Sequence, residues 1–299
     1  MILIQKYLII WIILLGLFLR LYGINWDQNQ HLHPDERFLT MVVGSMQLPS
    51  VLSEYFDPQI SKLNPNNIGY SFYVYGNLPL VFIKIAARLA NFDNYNGITL
   101  LGRFFSSIFD TATIILIFLI AKLFEKKYRS NKSIKYFAAF FYAIAISPIQ
   151  HGHFFVVDSF LVFFASAAVY FSLRFNFKCL KINLILSALF FSIAVACKIN
   201  AILFIPLIGL LLVDFKLIRK KKAGFITNNT INFVLFSFTF YLTLRIISPF
   251  YFETSNWLNF KIKTNSMKFY FSLSPYSLNI YSTTAFASLG FNPWSGITG

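Results

Sequence analysis

Charge is scarce in this chain. Only 12% of its residues are Asp, Glu, Lys or Arg, where a soluble globular domain carries about 25%. That shortage excludes an ordinary soluble domain. Cysteine is also scarce: Cys179 and Cys197 are the only two. One falls at the start of an expected membrane span and the other inside one, so they should not meet, which argues against a disulfide and against a cysteine metal site. A small-residue cleavage site is missing after the first apolar run, between Trp26 and His33, so that run reads as an uncleaved span and not as a signal peptide. No inverted repeat of Gly- or Pro-broken helices is visible, which weighs against a transporter.

Apolar residues are abundant, at 57% of the chain, with Phe alone at 38 positions. Spans need roughly 20 mostly apolar residues, and the pattern predicts an all-α, polytopic transmembrane bundle of about seven of them. Span one covers residues 7–22. A polar segment with Pro49, Pro58, Pro65 and Pro79 follows. Within residues 78–92, Lys84, Arg88 and Asn91 share one helical face, predicting an amphipathic helix that lies on the membrane. Span two is expected at 101–123 and span three at 136–149, closed by Ser147-Pro148 with a tight turn at 150–153. Span four is expected at 154–173. Residues 184–213 are too long for one span and predict a re-turning pair that meets near Lys198. Span seven is expected at 231–247. The whole chain, 1–299, reads as one membrane-embedded domain and as the N-terminal portion of a longer protein, with a first outer loop at 23–100 and a second outer segment at 251–299.

The net charge of +15 would suggest nucleic acid in a soluble protein. Here Lys and Arg gather in three short loops, at 125–135, 174–181 and 214–222, the distribution that marks cytoplasmic loops. The charge is therefore assigned to topology, and no nucleic-acid partner is expected. With those loops inside, all four histidines (His31, His33, His151, His153) fall on the other face. So do most acids: Asp27, Asp35, Glu36, Glu54, Asp57, Asp93, Asp158 and Glu253. The chemistry is expected on the extracytoplasmic face of a multi-pass cell-membrane protein.

The sharpest local feature there is His33-Pro34-Asp35-Glu36. Pro34 breaks the run, setting two adjacent carboxylates on a turn at the membrane surface, a costly place for acids without a task. Arg103, Lys198 and Arg245 lie near the outer ends of spans. Arg can grip a phosphate with two hydrogen bonds, although snorkelling to the interface, or pairing with Asp110, would also explain such cations. His151 and His153, with Asp158 and Glu36, could hold a divalent ion, or the histidines could be satisfied interfacial side chains.

These pieces, in order, resemble the lipid-carrier-dependent glycosyltransferases of the C-type integral-membrane fold, among them the protein O-mannosyltransferases and the aminoarabinose transferase of lipid A. The resemblance rests on Asp35-Glu36 after one span, Tyr75-Gly76-Asn77-Leu78-Pro79-Leu80, Gly102-Arg103 with Asp110, and Ser147-Pro148 through His153 to Asp158. Ala196-Cys197-Lys198-Ile199-Asn200 and Arg245 with Ser248-Pro249-Phe250 complete it. It implies transfer of a sugar from a polyprenyl-phosphate donor to an acceptor hydroxyl on a protein, lipid or glycan. A phosphate leaving group needs charge stabilisation more than a general acid, so one base suffices, unlike the two carboxyls of a typical glycosidase. Asp35 is the candidate base of an inverting transfer. Glu36 would orient the acceptor or bind a metal, Arg103, Lys198 and Arg245 would hold the donor phosphate, and Asp158 would support the active-site loop or the metal. The lysine of the aminoarabinose branch's Lys-Pro-Pro-Leu segment is absent from the corresponding Asn77-Leu78-Pro79-Leu80, so its phosphate contact does not transfer. The alternatives are a transporter or flippase-like protein and a catalytically inactive relative.

Overall fold

A computed structural model describes residues 2–71, 73–213, 225–252 and 254–256. The basic segment at 214–222 and nearly all of the second outer segment, with Trp257 and Trp294 as expected interface anchors, lie outside the described residues. Those described form an all-α bundle.

Helix α1 (Ile2–Leu21) is followed by an irregular loop to α2 (Pro34–Ser45), which Pro34 opens at a position where a missing N–H costs nothing. Short α3 (Leu52–Phe56) and a 3₁₀ turn (Pro65–Ile68) lead to α4 (Leu78–Leu89). Next comes α5 (Tyr95–Tyr128), capped by Asn94, whose side chain accepts from the Gly97 N–H. Helices α6 (Ile134–Ala143) and α7 (Ile146–Gly152) precede α8 (Val157–Lys178) and α9 (Lys181–Cys197). A 3₁₀ segment (Ile199–Phe204) then runs into α10 (Ile205–Leu212), and α11 (Phe225–Ile247) ends in a 3₁₀ turn (Pro249–Tyr251).

Among the described residues, three helices are long and apolar enough to cross a membrane: Tyr95–Tyr128, Val157–Lys178 and Thr227–Ile247. The stretches Tyr7–Leu21, Lys181–Cys197 and Ile199–Leu212 are apolar and shorter. At 34 residues, α5 is about 51 Å long against a hydrocarbon layer of about 30 Å, so it carries residues well past the apolar zone. It is the central post: α1, α2, α4, α6, α7 and α8 all pack on it, while α9 joins α8 to α11. One core gathers α2, α4, α5 and the start of α8; a second gathers α8 to α11; a third joins α1, α5 and α6. Both cysteines are free thiols, Cys197 buried.

Two local expectations are corrected. The helix expected at 136–149 is broken after Ala143, and Ser147-Pro148 opens α7 where it was expected to close the span. Pro148 sits in the first turn, where its missing N–H would have had no intrahelical partner. In α4, the charged face expected to meet water points inward at Lys84. That residue is 4% exposed and pairs with Asp93 at 2.7 Å, while Ile85 and Leu89 turn outward at 42% and 81% exposure. Asp93, just beyond the helix end, supplies the counter-charge that makes burying Lys84 tolerable.

Candidate active site

The turn at Asp35-Glu36 proves to be the start of a helix. His33 caps it, its Nδ1 accepting from the Glu36 N–H at 3.3 Å. From there, helical spacing treats the two carboxylates differently. Glu36 leads the stripe Glu36, Leu39, Thr40 and Val43, at i, i+3, i+4 and i+7, all fully buried. Asp35 is exposed, and it makes no hydrogen bond or ion pair among the described residues.

Glu36 meets Arg103 of α5. The guanidinium donates from Nη2 to Glu36 Oε1 at 2.5 Å and from Nε to Oε2 at 2.8 Å. Its other edge grips Asp27, Nη1 to Oδ1 at 3.0 Å and Nη2 to Oδ2 at 2.7 Å, and Nη1 also donates to the Ile24 carbonyl. All three side chains are fully buried. Glu36 Oε2 further accepts the Phe155 backbone N–H at 2.8 Å. Thus one arginine ties the loop after α1, the head of α2, α5 and the entrance to α8. Gly102 makes this possible: a Cβ there would lie 2.2 Å from the Phe155 ring. The structure therefore places Arg103 between two protein carboxylates and Glu36 in a buried ion pair with it.

The Arg103 guanidinium holds the Asp27 carboxyl below the usual carboxylate range, first through its hydrogen bonds. A carboxyl whose native pKa is lowered stabilises the fold above its unfolded value near 3.8, and that contribution is lost as pH falls through the lower native value. The melting temperature in detergent should therefore be insensitive to Asp27 down to about pH 4 and drop below it. An Asp27→Asn variant followed by circular dichroism should lack this part of the drop.

Asp35 shares a helix side with Phe38, three residues on. The Phe38 ring meets Tyr70, Tyr73 and Tyr75 at 5.8–6.3 Å between centroids. Tyr75 in turn lies 6.0 Å from the Lys198 ammonium. The neighbouring Gly76 brings its backbone against the end of α9: its N–H donates to the Cys197 carbonyl at 3.0 Å, and a Cβ would fall 2.1 Å from the Ala196 oxygen. No other residue fits there. The contact locks the 73–77 loop to the residue just before Lys198.

Lys198 follows α9 in extended conformation. Its Nζ donates to Asp158 Oδ1 at 2.8 Å and Oδ2 at 3.2 Å, and both side chains stay partly exposed. Together they line a cavity of ≈ 370 Å³ walled by Leu161, Asn200, Leu203 and Phe204. The ammonium and carboxylate at its edge, with apolar walls behind, make a polar mouth on a greasy recess.

The remaining candidates sit elsewhere. Arg245 is buried, lies 4.2 Å over the Phe252 ring, and donates from Nη2 to the Thr254 and Asn256 carbonyls. It organises the segment after α11. His153 sets Nδ1 on the Ile149 carbonyl and Nε2 on the Tyr22 carbonyl, both at 2.8 Å, leaving neither nitrogen to a metal. His151 is exposed. The four residues considered for a divalent ion are thus not brought together, and no cluster of three metal-ligating His, Cys, Asp or Glu side chains occurs among the described residues.

One buried centre had no signal in the sequence. Arg20, at the end of α1, donates to Asp110 of α5 at 2.5 Å, and the Tyr142 hydroxyl donates to the same carboxylate at 2.6 Å. Arg20 also donates to the Gly16 and Ala143 carbonyls. Asp110 therefore pairs with Arg20 and not with the other cations considered.

No curated protein matches this chain. The family model described as dolichyl-phosphate-mannose-protein mannosyltransferase matches residues 10–262.

Proposed function

The chain belongs to the dolichyl-phosphate-mannose-protein mannosyltransferase family, and from that premise we propose that Asp35 is the general base of an inverting sugar transfer on the extracytoplasmic face of a multi-pass membrane protein. Membership makes it a membrane-embedded glycosyltransferase with a lipid-phosphate sugar donor. The observation that carries the assignment is the division between adjacent carboxylates. Glu36 is sealed against Arg103, whereas Asp35 stands exposed on the helix side that leads through Phe38 and Tyr75 to Lys198.

In this reading the sugar phosphate enters the mouth of the Lys198–Asp158 cavity. Lys198 exchanges one anion, Asp158, for another, the donor phosphate, and stabilises the charge that develops as the phosphate leaves. Asp158 holds the ammonium at the mouth until then. Asp35 takes the proton of the acceptor hydroxyl as its oxygen attacks C1. The Asp27–Arg103–Glu36 cluster holds the base in place without touching substrate.

Membranes containing the chain should release free polyprenyl phosphate from one member of a panel of labelled polyprenyl-phosphate hexoses and pentoses, and Asp35→Asn should abolish that release. Lys198→Met should lower kcat/KM for the donor by about ten-fold or more, the weight of a hydrogen bond to a charged group. Unchanged donor kinetics in that variant would remove Lys198 from the phosphate site.

A further inference from the structure

The loop from Asn25 to His33 presents a surface that the transfer chemistry above does not use. Trp26 is 43% exposed. Its indole N–H donates inward to the His153 carbonyl at 3.3 Å, Arg103 lies 5.5 Å over its ring, and Phe154 meets it edge-on at 5.7 Å. Phe154 stacks on His33 at 4.1 Å, and His33 caps the helix that carries Asp35. A tryptophan that anchors a protein at the membrane surface turns its N–H toward water and headgroups. This one has its N–H occupied within the protein and offers ring surface instead.

In the same short loop as Trp26 are the exposed amides Asn25, Gln28 and Asn29. They are held in a fixed backbone shape: Gln28, Asn29 and His31 all have positive φ, at 50°, 66° and 53°. That conformation is costly for residues other than glycine and persists only where the surroundings impose it. Asp27 imposes it here, accepting from the Asn29 and Leu32 N–H groups while its other contacts go to Arg103.

We infer that this loop is the acceptor subsite and that the acceptor is a carbohydrate, a pyranose ring seated against Trp26 with one hydroxyl directed at Asp35. The inference rests on Asp35 being the base. A flat aromatic face suits the C–H face of a sugar, and amides, each both donor and acceptor, suit its hydroxyls. The family's description names protein as the acceptor; the chemistry of this loop departs from it. The step balances: the acceptor O–H proton passes to the Asp35 carboxylate, the freed oxygen bonds to C1, and the C1–O bond to phosphate breaks with its electron pair on the departing polyprenyl phosphate.

Saturation-transfer NMR on the chain in nanodiscs tests this, with methyl α-mannopyranoside, methyl β-glucopyranoside, methyl β-galactopyranoside and a Ser/Thr-rich peptide as probes. At least one glycoside should take up saturation through its ring protons. Trp26→Ala should bind it about ten-fold more weakly, and Trp26→Phe should retain most of the binding. Should Trp26→Ala fail to fold, Asn25→Ala and Gln28→Ala, at exposed positions, carry the test with several-fold losses. No saturation of any glycoside, equal binding in the ring and amide variants, or Trp26-dependent binding of the peptide alone would overturn the proposal. Asp35→Asn separates the two ideas. Loss of transfer with glycoside binding intact supports both, whereas retained transfer sinks the base assignment and leaves the binding result standing by itself.

Discussion

Asp35→Asn will lower sugar transfer by about 10²–10⁴-fold, the usual contribution of a positioned general base, and will leave the protein folded. The amide cannot accept the acceptor's proton at the moment of attack, yet it fills the same volume. Among the described residues Asp35 is exposed and makes no ion pair, so its charge acts only on the N-terminus of its helix, worth about 0.3–1 kcal/mol. Its loss should therefore move the melting temperature only slightly and leave size-exclusion behaviour in detergent unchanged. Steady-state release of polyprenyl phosphate is the measurement, with donor KM as the control. A variant that turns over at the wild-type rate would show that the proton goes elsewhere. The neighbouring Glu36→Gln should behave in the opposite way, altering folding first, because its charge balances Arg103.

The second large effect is Arg103→Met. Asp27 and Glu36 would then sit side by side, fully buried, with no cation between them. Removing one partner of a buried pair costs about 3–5 kcal/mol, a large share of the 5–15 kcal/mol that typically separates folded from unfolded protein. Arg103→Lys keeps the charge but cannot fork onto two carboxylates at once, so it should recover only part of the stability. The triple variant Arg103→Met, Asp27→Asn, Glu36→Gln removes the charges as well and should melt higher than Arg103→Met alone. Fluorescence-detected size exclusion across a temperature series reads all three. If Arg103→Met melts like wild type, the cluster does not hold these four segments together.

The contrast between Asp35 and Glu36 shows how far the sequence carries. The acid pair, its membrane context and the all-helical fold are legible, because apolar run length and Pro34 act locally. The split in roles was there to be read as well: Glu36, Leu39, Thr40 and Val43 fall at helical spacing, and Asp35 falls off that stripe. Treating the motif as a turn hid it, since the helix begins at Pro34 itself. The partner of Arg103 is a different matter. Asp27 and Glu36 lie 76 and 67 positions away, and no local pattern says which of several cations an acid will meet. The same applies to Lys198 with Asp158, 40 positions apart, and to Arg20 with Asp110, 90 positions apart. In α4, sequence periodicity identified the two faces, with Leu80 and Ile83 buried and Arg88 and Asn91 exposed, and misjudged Lys84 alone, because its counter-charge came from Asp93 outside the helix.

The Arg20–Asp110 pair has a consequence for how the chain is made. Ninety positions separate the two residues, and at about 5–20 residues per second the ribosome takes roughly 5–20 s to cover them. Throughout that interval Arg20 lacks the Asp110 carboxylate, and from the last turn of α1 its long side chain can keep the guanidinium at the membrane surface. Helix α1 therefore takes its final seat, with Arg20 buried against Asp110, only after α5 has been synthesised.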